Sequence, residues 1–516
     1  HIPSPSTMLI PEPIEAALNF PWHVTKGIAH LSLWPVRAIM HTPDMPITPK
    51  PKDGESVYDI AEPMLDIASI IYYYTELRSE TKNRLMKYAE KFNLSTKQID
   101  DIRNAIVFTE TSLEALKQVD QADASSSNVL ADYQVSLKQL EDIKNRFNLT
   151  SGDIEVFATY FNILKEPKSA VSIKSDLLLY NDFISLAFRK SFGGSDWNVD
   201  NIVDMVNRDP KMFIKEIDDD FVDKSFAKFI NGLDSELVYA IFVSPENKRV
   251  TVAFRGSVNA NDWIANTYNG GVMTDFKLPG YTSEEAELRD SRNSYGRVHE
   301  GFYNYLFGKT AKGANGSYKS KSEEIMGLLV DLFDKECKGY SLFVTGHSLG
   351  GSMSTMFAAR AATFGQFGKV TNVSFASPYC GDQGFRDHFY ELEQKNLIRH
   401  IRFSNEEDVV PLIPFVAPNG LAPVEMYKHT GMNIRMYNAS QLLFPKCRLF
   451  YPKMGSLSNE VRNAILNNVP MGLSVGVISK HLCPEYCSRL ESSSEELKKI
   501  SVEGLYEDAD ITGFST

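Results

Sequence analysis

Between Ser341 and Phe364 the chain reads SLFVTGHSLGGSMSTMFAARAATF. An apolar, β-prone run stops on Gly346, a lone serine follows between small residues, and the pattern turns helical. A strand that hands over to a helix across so short a turn sends the helix back along the sheet, and the next strand then pairs in parallel. This one segment therefore predicts a βα unit. It also places Ser348 at the C-terminal end of a strand and the N-terminus of a helix, where backbone N–H groups and the helix dipole favour a developing negative charge. Taken alone, Gly-His-Ser-Leu-Gly also fits a helix-capping serine in a glycine-rich turn. The strand leading in and the helix leading out favour a nucleophile.

Further β-rich runs extend the pattern. Val238–Val243 and Val250–Phe254 flank Ser-Pro-Glu-Asn and read as a hairpin, and Val370–Phe375 and Arg399–Phe403 follow with helical stretches between them. Strands that alternate with helices predict a largely parallel sheet. The 516 residues exceed one typical domain and suggest about two or three. Residues 1–55 carry ten prolines and read as an extended arm. Residues 56–190 are helical in pattern, residues 191–490 hold the α/β region, and residues 491–516 read as a polar tail, a helix with a loose end.

The helical region repeats itself. KFNLSTKQID at 91–100 and RFNLTSGDIE at 146–155 align without a gap, 55 residues apart. Ser95-x-x-Gln98 and Thr150-x-x-Asp153 each have the form of a helix N-cap with its partner three residues on. Each copy is expected to mark a turn between two helices, so the region reads as a duplicated helical hairpin that suits an accessory or docking role. A protein partner through this region is the corresponding expectation. Two of the five Asn-x-Ser/Thr triplets, at Asn93 and Asn148, fall in the two copies and belong to the shared helix-start sequence.

Composition narrows the partners. A net charge of −12 without a long basic run argues against nucleic acid, because phosphate binding needs clustered Lys and Arg. Five cysteines form no dense framework, which favours a reduced compartment, although Cys483 and Cys487 lie close enough in sequence to touch. No zinc spacing, phosphate loop or dinucleotide fingerprint is present, so neither metal nor cofactor is expected. The aspartates of IDDDF, 217–221, read as a solvated face. The apolar stretch at 16–40 is broken by Pro21, Pro35, Lys26 and Arg37, which excludes a transmembrane helix there and leaves packing or surface contact. The chain opens on His1 rather than Met, which suggests a processed form.

A serine hydroxyl is a poor nucleophile until a histidine takes its proton and a carboxylate holds that histidine. Downstream, RHIRFSNEEDVVPLIP offers Glu406, Glu407 and Asp408 just beyond a strand, and MYKHTGM and ISKHLCPEY offer His429 and His481. The residues by themselves leave both choices open.

VAFRGS (252–257), DWIAN (262–266), VHEGFYNYL (298–306), VTGHSLGG (344–351), FASPYCGD (375–382), SNEEDVVPLIP (404–414), MYKHTG (426–431) and KHL (480–482) follow one another along the chain. In this order they resemble the class 3 lipases, a family that includes fungal secreted lipases, plant lipid hydrolases and diacylglycerol lipases. The likeness runs from about Leu237 to Arg489, and the first 235 or so residues resemble nothing comparable.

The resemblance implies an α/β-hydrolase fold with a mostly parallel central sheet, preceded by the α-helical N-terminal domain. It implies that Ser348, Asp408 and His481 form a catalytic triad, with His429 structural and His347 a packing residue. Lys480 stands where the family has an aspartate before its catalytic histidine. It further implies an oxyanion hole from the backbone N–H groups of Ser257 and Leu349, and a lid helix that carries Trp263 and Ile264. LLFPKCRLFYP, between His429 and His481, would border an acyl groove. The expected activity is hydrolysis of acylglycerol or phospholipid esters at a lipid interface, in the cytoplasm or peripherally on a membrane, with secretion left open. A lipase-like scaffold with little hydrolysis and a soluble-ester esterase are the alternatives.

Overall fold

The structure is a computed structural model that describes residues 54–118, 126–165, 167–179, 199–218, 237–256, 272–278, 294–312, 318–408, 410–413, 416–417, 425–438, 446–450 and 479–505. In chain order its helices are α1 (Val57–Glu90), α2 (Thr96–Gln118), α3 (Ser126–Phe147), α4 (Ser151–Leu164), α5 (Ala170–Leu179), α6 (Val199–Arg208) and α7 (Glu300–Phe307). They continue with α8 (Lys321–Lys335), α9 (Leu349–Phe364), α10 (Gln383–Gln394), α11 (Cys483–Ser492), α12 (Ser494–Leu497) and α13 (Val502–Leu505). The main sheet has nine strands: β1 (Lys168–Ser169), β2 (Phe213–Asp218), β3 (Tyr239–Ser244), β4 (Arg249–Phe254), β5 (Ser341–His347), β6 (Val370–Phe375), β7 (Ile398–Asn405), β8 (Met432–Met436) and β9 (Cys447–Phe450).

These strands neighbour one another in the order of the chain. β1 to β4 run antiparallel, β4 to β8 are parallel, and β9 turns back antiparallel at the edge. The expected hairpin is β3–β4. Helices cover both faces, which is why the central strands are apolar at consecutive rather than alternate positions. β3 shows how the faces divide: Ala240 and Phe242 join a core with α1, α5, α6 and α11, while Tyr239, Ile241 and Val243 join a core with α7, α8, α9 and α10.

The boundary drawn at 56–190 differs from the structure. The first half of α1, from Val57 to Leu77, lies in the sheet core, and β1 within that range pairs with β2. A separate cluster gathers Leu85 and Ala89 of α1, Ile99, Ile102 and Ile106 of α2, and Ile154, Phe157 and Phe161 of α4. The 34-residue α1 thus belongs to two cores. Its sequence hides this because its apolar residues do not mark where one set of neighbours ends and another begins. The tail is helical as expected, in α12 and α13, but its apolar residues are not on a polar surface. Leu490, Leu497, Val502 and Leu505 are buried in the sheet core, and Val57 N–H donates to the Ile500 carbonyl at 2.8 Å. Residues 506–516 lie outside the described residues.

Within the repeat, Thr150 and Asp153 form a capping box, and Ser95 and Gln98 make the equivalent bonds. Asn93 and Asn148 both adopt a φ of 53°. In both copies the residue after the asparagine donates five positions back, Leu94 to Ala89 and Leu149 to Lys144, which is the bond of a helix end closed by a left-handed residue. The repeat therefore encodes the end of one helix as well as the start of the next. Asn93→Gly is expected to leave this turn's stability unchanged or slightly higher, and Asn93→Ala to cost roughly 1 kcal/mol, since a Cβ disfavours positive φ. Amide hydrogen exchange at the α1–α2 junction measures the difference. Of the other triplets, Asn372 is fully buried in β6.

Of LLFPKCRLFYP, residues 442–445, Tyr451 and Pro452 lie outside the described residues, and Cys447–Phe450 is regular structure. It is strand β9, with Cys447 and Leu449 buried in the sheet core, because an apolar run beside a parallel strand completes the sheet edge. Asp218, from the acidic run, ends β2 and pairs with Lys321 rather than facing open solvent. All five cysteines, including Cys483 and Cys487, are free thiols. Among the described residues no helix is long and apolar enough to cross a membrane, and no His/Cys/Asp/Glu group could hold a metal.

Candidate active site

Ser348 lies between β5 and α9 with φ 60° and ψ −131°, a conformation that L residues rarely adopt. The turn is held from several sides. Ser348 N–H donates to the Phe375 carbonyl at 2.9 Å, and Gly351 N–H returns to the Ser348 carbonyl at 2.8 Å. The flanking glycines are required by space: a Cβ on Gly346 would sit 2.2 Å from the Gly350 carbonyl oxygen, and one on Gly350 would sit 2.1 Å from that of Phe254. Leu349 opens α9, so its backbone N–H has no acceptor within the helix and is free to serve a ligand oxygen. No cap from the Ser348 side chain competes for the first turn of α9.

Asp408 stands in the turn beyond β7, 3% exposed. One carboxylate oxygen accepts from the Val410 amide at 2.9 Å. The other accepts from His481 Nδ1 at 2.9 Å and from the Tyr486 hydroxyl at 2.7 Å. Burial raises the Tyr486 phenol well above its usual range, and the Asp408 charge adds to this, so Tyr486 remains a donor. The three groups form one buried unit. Its parts come from the turn after β7, from the segment that leads into α11 and from α11 itself.

That segment is anchored through its carbonyls. Asn405 Nδ2 donates to the Lys480 carbonyl at 2.9 Å, and His347 Nε2 lies 2.7 Å from the His481 carbonyl. Helix-end carbonyls left without intrahelical donors need such partners. Lys480 points outward to Glu485 at 3.2 Å and Glu407 at 3.7 Å, and Arg489 reaches Glu407 at 3.1 Å. Lysine at this position thus fits an ion-paired rim around the buried pair.

The remaining expected residues divide clearly. Glu407 belongs to that rim, and Glu406 is half-buried with its backbone N–H on Met436. His429 is stacked on Tyr379 with ring centroids 3.8 Å apart, and its Nε2 faces the Pro411 carbonyl at 2.7 Å. Burial pushes its basicity well below the usual histidine range. Ser257, Trp263 and Ile264 lie outside the described residues; Gly256, next to Ser257, packs where a Cβ would meet Ser348 Cβ at 3.0 Å. Sequence reading did not single out Tyr486, Asn405 or Tyr72. The only signal for Tyr486 is its place five residues after His481.

A buried carboxylate on one imidazole nitrogen, with that histidine's backbone tied to the residue before a strained serine, is an arrangement suited to proton transfer during acyl transfer. Comparison with known proteins bears on the same region. Residues 251–417 match the family profile described as lipase (class 3). The chain is 35% identical over 181 residues to phospholipase A1-II 4 of Oryza sativa subsp. japonica, covering 34% of this chain and 41% of that protein. It is 28% identical over 177 residues to phospholipase A1-IIgamma of Arabidopsis thaliana, covering 32% of this chain and 38% of that protein. The chain spans about two fifths of the length of these relatives. Among solved structures, a mono- and diacylglycerol lipase from Aspergillus oryzae aligns over 56% of this chain and 86% of that one, with 17% identity and a TM-score of 0.37.

Proposed function

We propose, from the match of residues 251–417 to the class 3 lipase profile, that this chain is a serine hydrolase with an α/β-hydrolase fold, cleaving acylglycerol or phospholipid esters through an acyl-enzyme. The observation that carries the reading is the buried Asp408–His481 pair at 2.9 Å, fastened by the His481 carbonyl to the residue preceding Ser348. In this reading Ser348 Oγ attacks the ester carbonyl while His481 Nε2 takes its proton. Asp408 holds Nδ1–H and stabilises the imidazolium. The tetrahedral oxyanion rests on the Leu349 and Ser257 amides, each donor worth about 3 kcal/mol in such sites. Collapse breaks the ester C–O bond, and His481 returns the proton to the leaving alcohol. Water, deprotonated by His481, then attacks the acyl carbonyl and frees Ser348.

Trp263 and Ile264 would cover the site and turn toward lipid, so the enzyme would work peripherally at a membrane or droplet surface. The α2–α4 cluster is the surface proposed for a protein partner. The phospholipase A1 names of the plant relatives make phospholipid the first substrate to try. The test is fatty-acid release from phospholipid vesicles, diacylglycerol, triacylglycerol and a short soluble ester, below and above the point of aggregation. Release that rises with aggregation supports a lipase. Preference for the monomeric ester points to an esterase, and silence on every substrate points to a scaffold.

A further inference from the structure

His347 is more than packing. It is 3% exposed, and burial, with the His481 ring beside it, lowers its basicity well below the usual range, so it is a neutral imidazole with one N–H. The 2.7 Å contact from Nε2 to the His481 carbonyl assigns the proton to Nε2, since the opposite tautomer would set two lone pairs against each other in a buried site. Nδ1 is then an acceptor, and the Tyr72 hydroxyl lies 3.3 Å from it and 3.3 Å from the His347 carbonyl. The Tyr72 oxygen in turn receives the Gly256 amide. A Cβ on Gly256 would meet that oxygen at 2.2 Å, so hydroxyl and loop are in direct contact.

We propose that Tyr72 and His347 are positioning residues that tie the loop at Gly256 to the base His481, so that helix α1 holds both halves of the catalytic centre in register. The chain of donors runs from Gly256 N–H to Tyr72, from Tyr72 O–H to His347, where the carbonyl and Nδ1 both lie at 3.3 Å and share the proton, and from His347 Nε2–H to the His481 carbonyl. α1 grips the loop a second time one turn on, where Arg255 donates to Thr75 Oγ1 at 2.9 Å and faces Glu76 at 3.7 Å. Neither Tyr72 nor His347 is assigned a proton from substrate. Their effect is on where the imidazole of His481 points and where the adjoining amides lie, quantities on which transfer rates depend steeply. The inference rests on the triad reading above.

The test uses the full chain with Tyr72→Phe, His347→Leu, His347→Gln and the double variant Tyr72→Phe/His347→Leu. Covalent labelling of Ser348 by a fluorophosphonate and kcat and KM on phospholipid vesicles are measured, with melting temperature as a folding control. Tyr72→Phe is expected to label about tenfold slower and His347→Leu about a hundredfold slower, each with KM within about twofold. Glutamine, which restores an N–H donor toward the His481 carbonyl, should recover about fivefold or more over leucine. The double variant should be no slower than His347→Leu, because the two residues act in one chain. Folded Tyr72→Phe or His347→Leu protein that labels at the parental rate overturns the proposal, as do additive effects or glutamine no better than leucine. If the parental chain neither labels nor hydrolyses, the hydrolase reading falls. The positioning claim is then decided by crystal structures: it stands if His481 leaves Asp408 in His347→Leu and fails if the pair is unchanged.

Discussion

Ser348→Ala is expected to release fatty acid on the order of 10⁵-fold more slowly than the parental chain, with its fold intact, and to resist fluorophosphonate labelling. The substitution removes one oxygen and leaves the backbone as it was, with the Ser348 amide still bonded to Phe375. Loss of rate with an unchanged melting temperature therefore assigns the effect to the nucleophile. A second substitution separates strain from chemistry. Ser348 holds φ 60° and ψ −131°, a conformation that glycine adopts at less cost. Ser348→Gly should be equally inactive but more stable by about 1 kcal/mol, which would show that the strained turn is maintained for the orientation of Oγ. Activity of Ser348→Ala within about tenfold of the parental rate would remove the acyl-enzyme mechanism altogether.

Asp408→Asn should lower kcat by about 10³- to 10⁴-fold while the protein stays folded. The bonding pattern leaves asparagine no good orientation. If its oxygen faces His481 and Tyr486, its NH₂ group opposes the Val410 amide, which needs an acceptor. If its oxygen faces Val410, its NH₂ group opposes both the Tyr486 hydroxyl and the Nδ1 proton. His481 then shifts its proton to Nε2 and can no longer accept from Ser348. Melting temperature together with labelling rate distinguishes this from unfolding. A folded Asp408→Asn protein within about threefold of parental kcat would show that the acid lies elsewhere.

Much of the sheet was legible in local sequence. The runs Val250–Phe254, Ser341–Thr345, Val370–Phe375 and Arg399–Phe403 fall within strands, and Val238–Val243 does so from Tyr239 on, because β-branched and aromatic residues between turn signals bury both faces of a parallel sheet. The duplicated helical turn was equally readable, since a cap is a short-range bond between residues three apart. β8 and β9 were not read as strands. Each depends on a neighbour already in place, which the apolarity of LLFPKCRLFYP by itself does not reveal.

The sequence alone determined the short-range part of this protein: a strand ending in a serine turn, the helix that follows, and a set of downstream acids and histidines. Spacing cannot choose among those acids and histidines, because charge type says nothing about distance across a fold. Only tertiary structure set His481 on Asp408 with Tyr486 as a second donor, and sent His429 to the Pro411 carbonyl. It also carried Tyr72, 275 residues before His347, to the side chain beside Ser348. The physical reason is burial. A hydroxyl or imidazole excluded from water must find its partner wherever the packed core brings one, and the core of α1 against the sheet is assembled from segments that lie far apart in the chain.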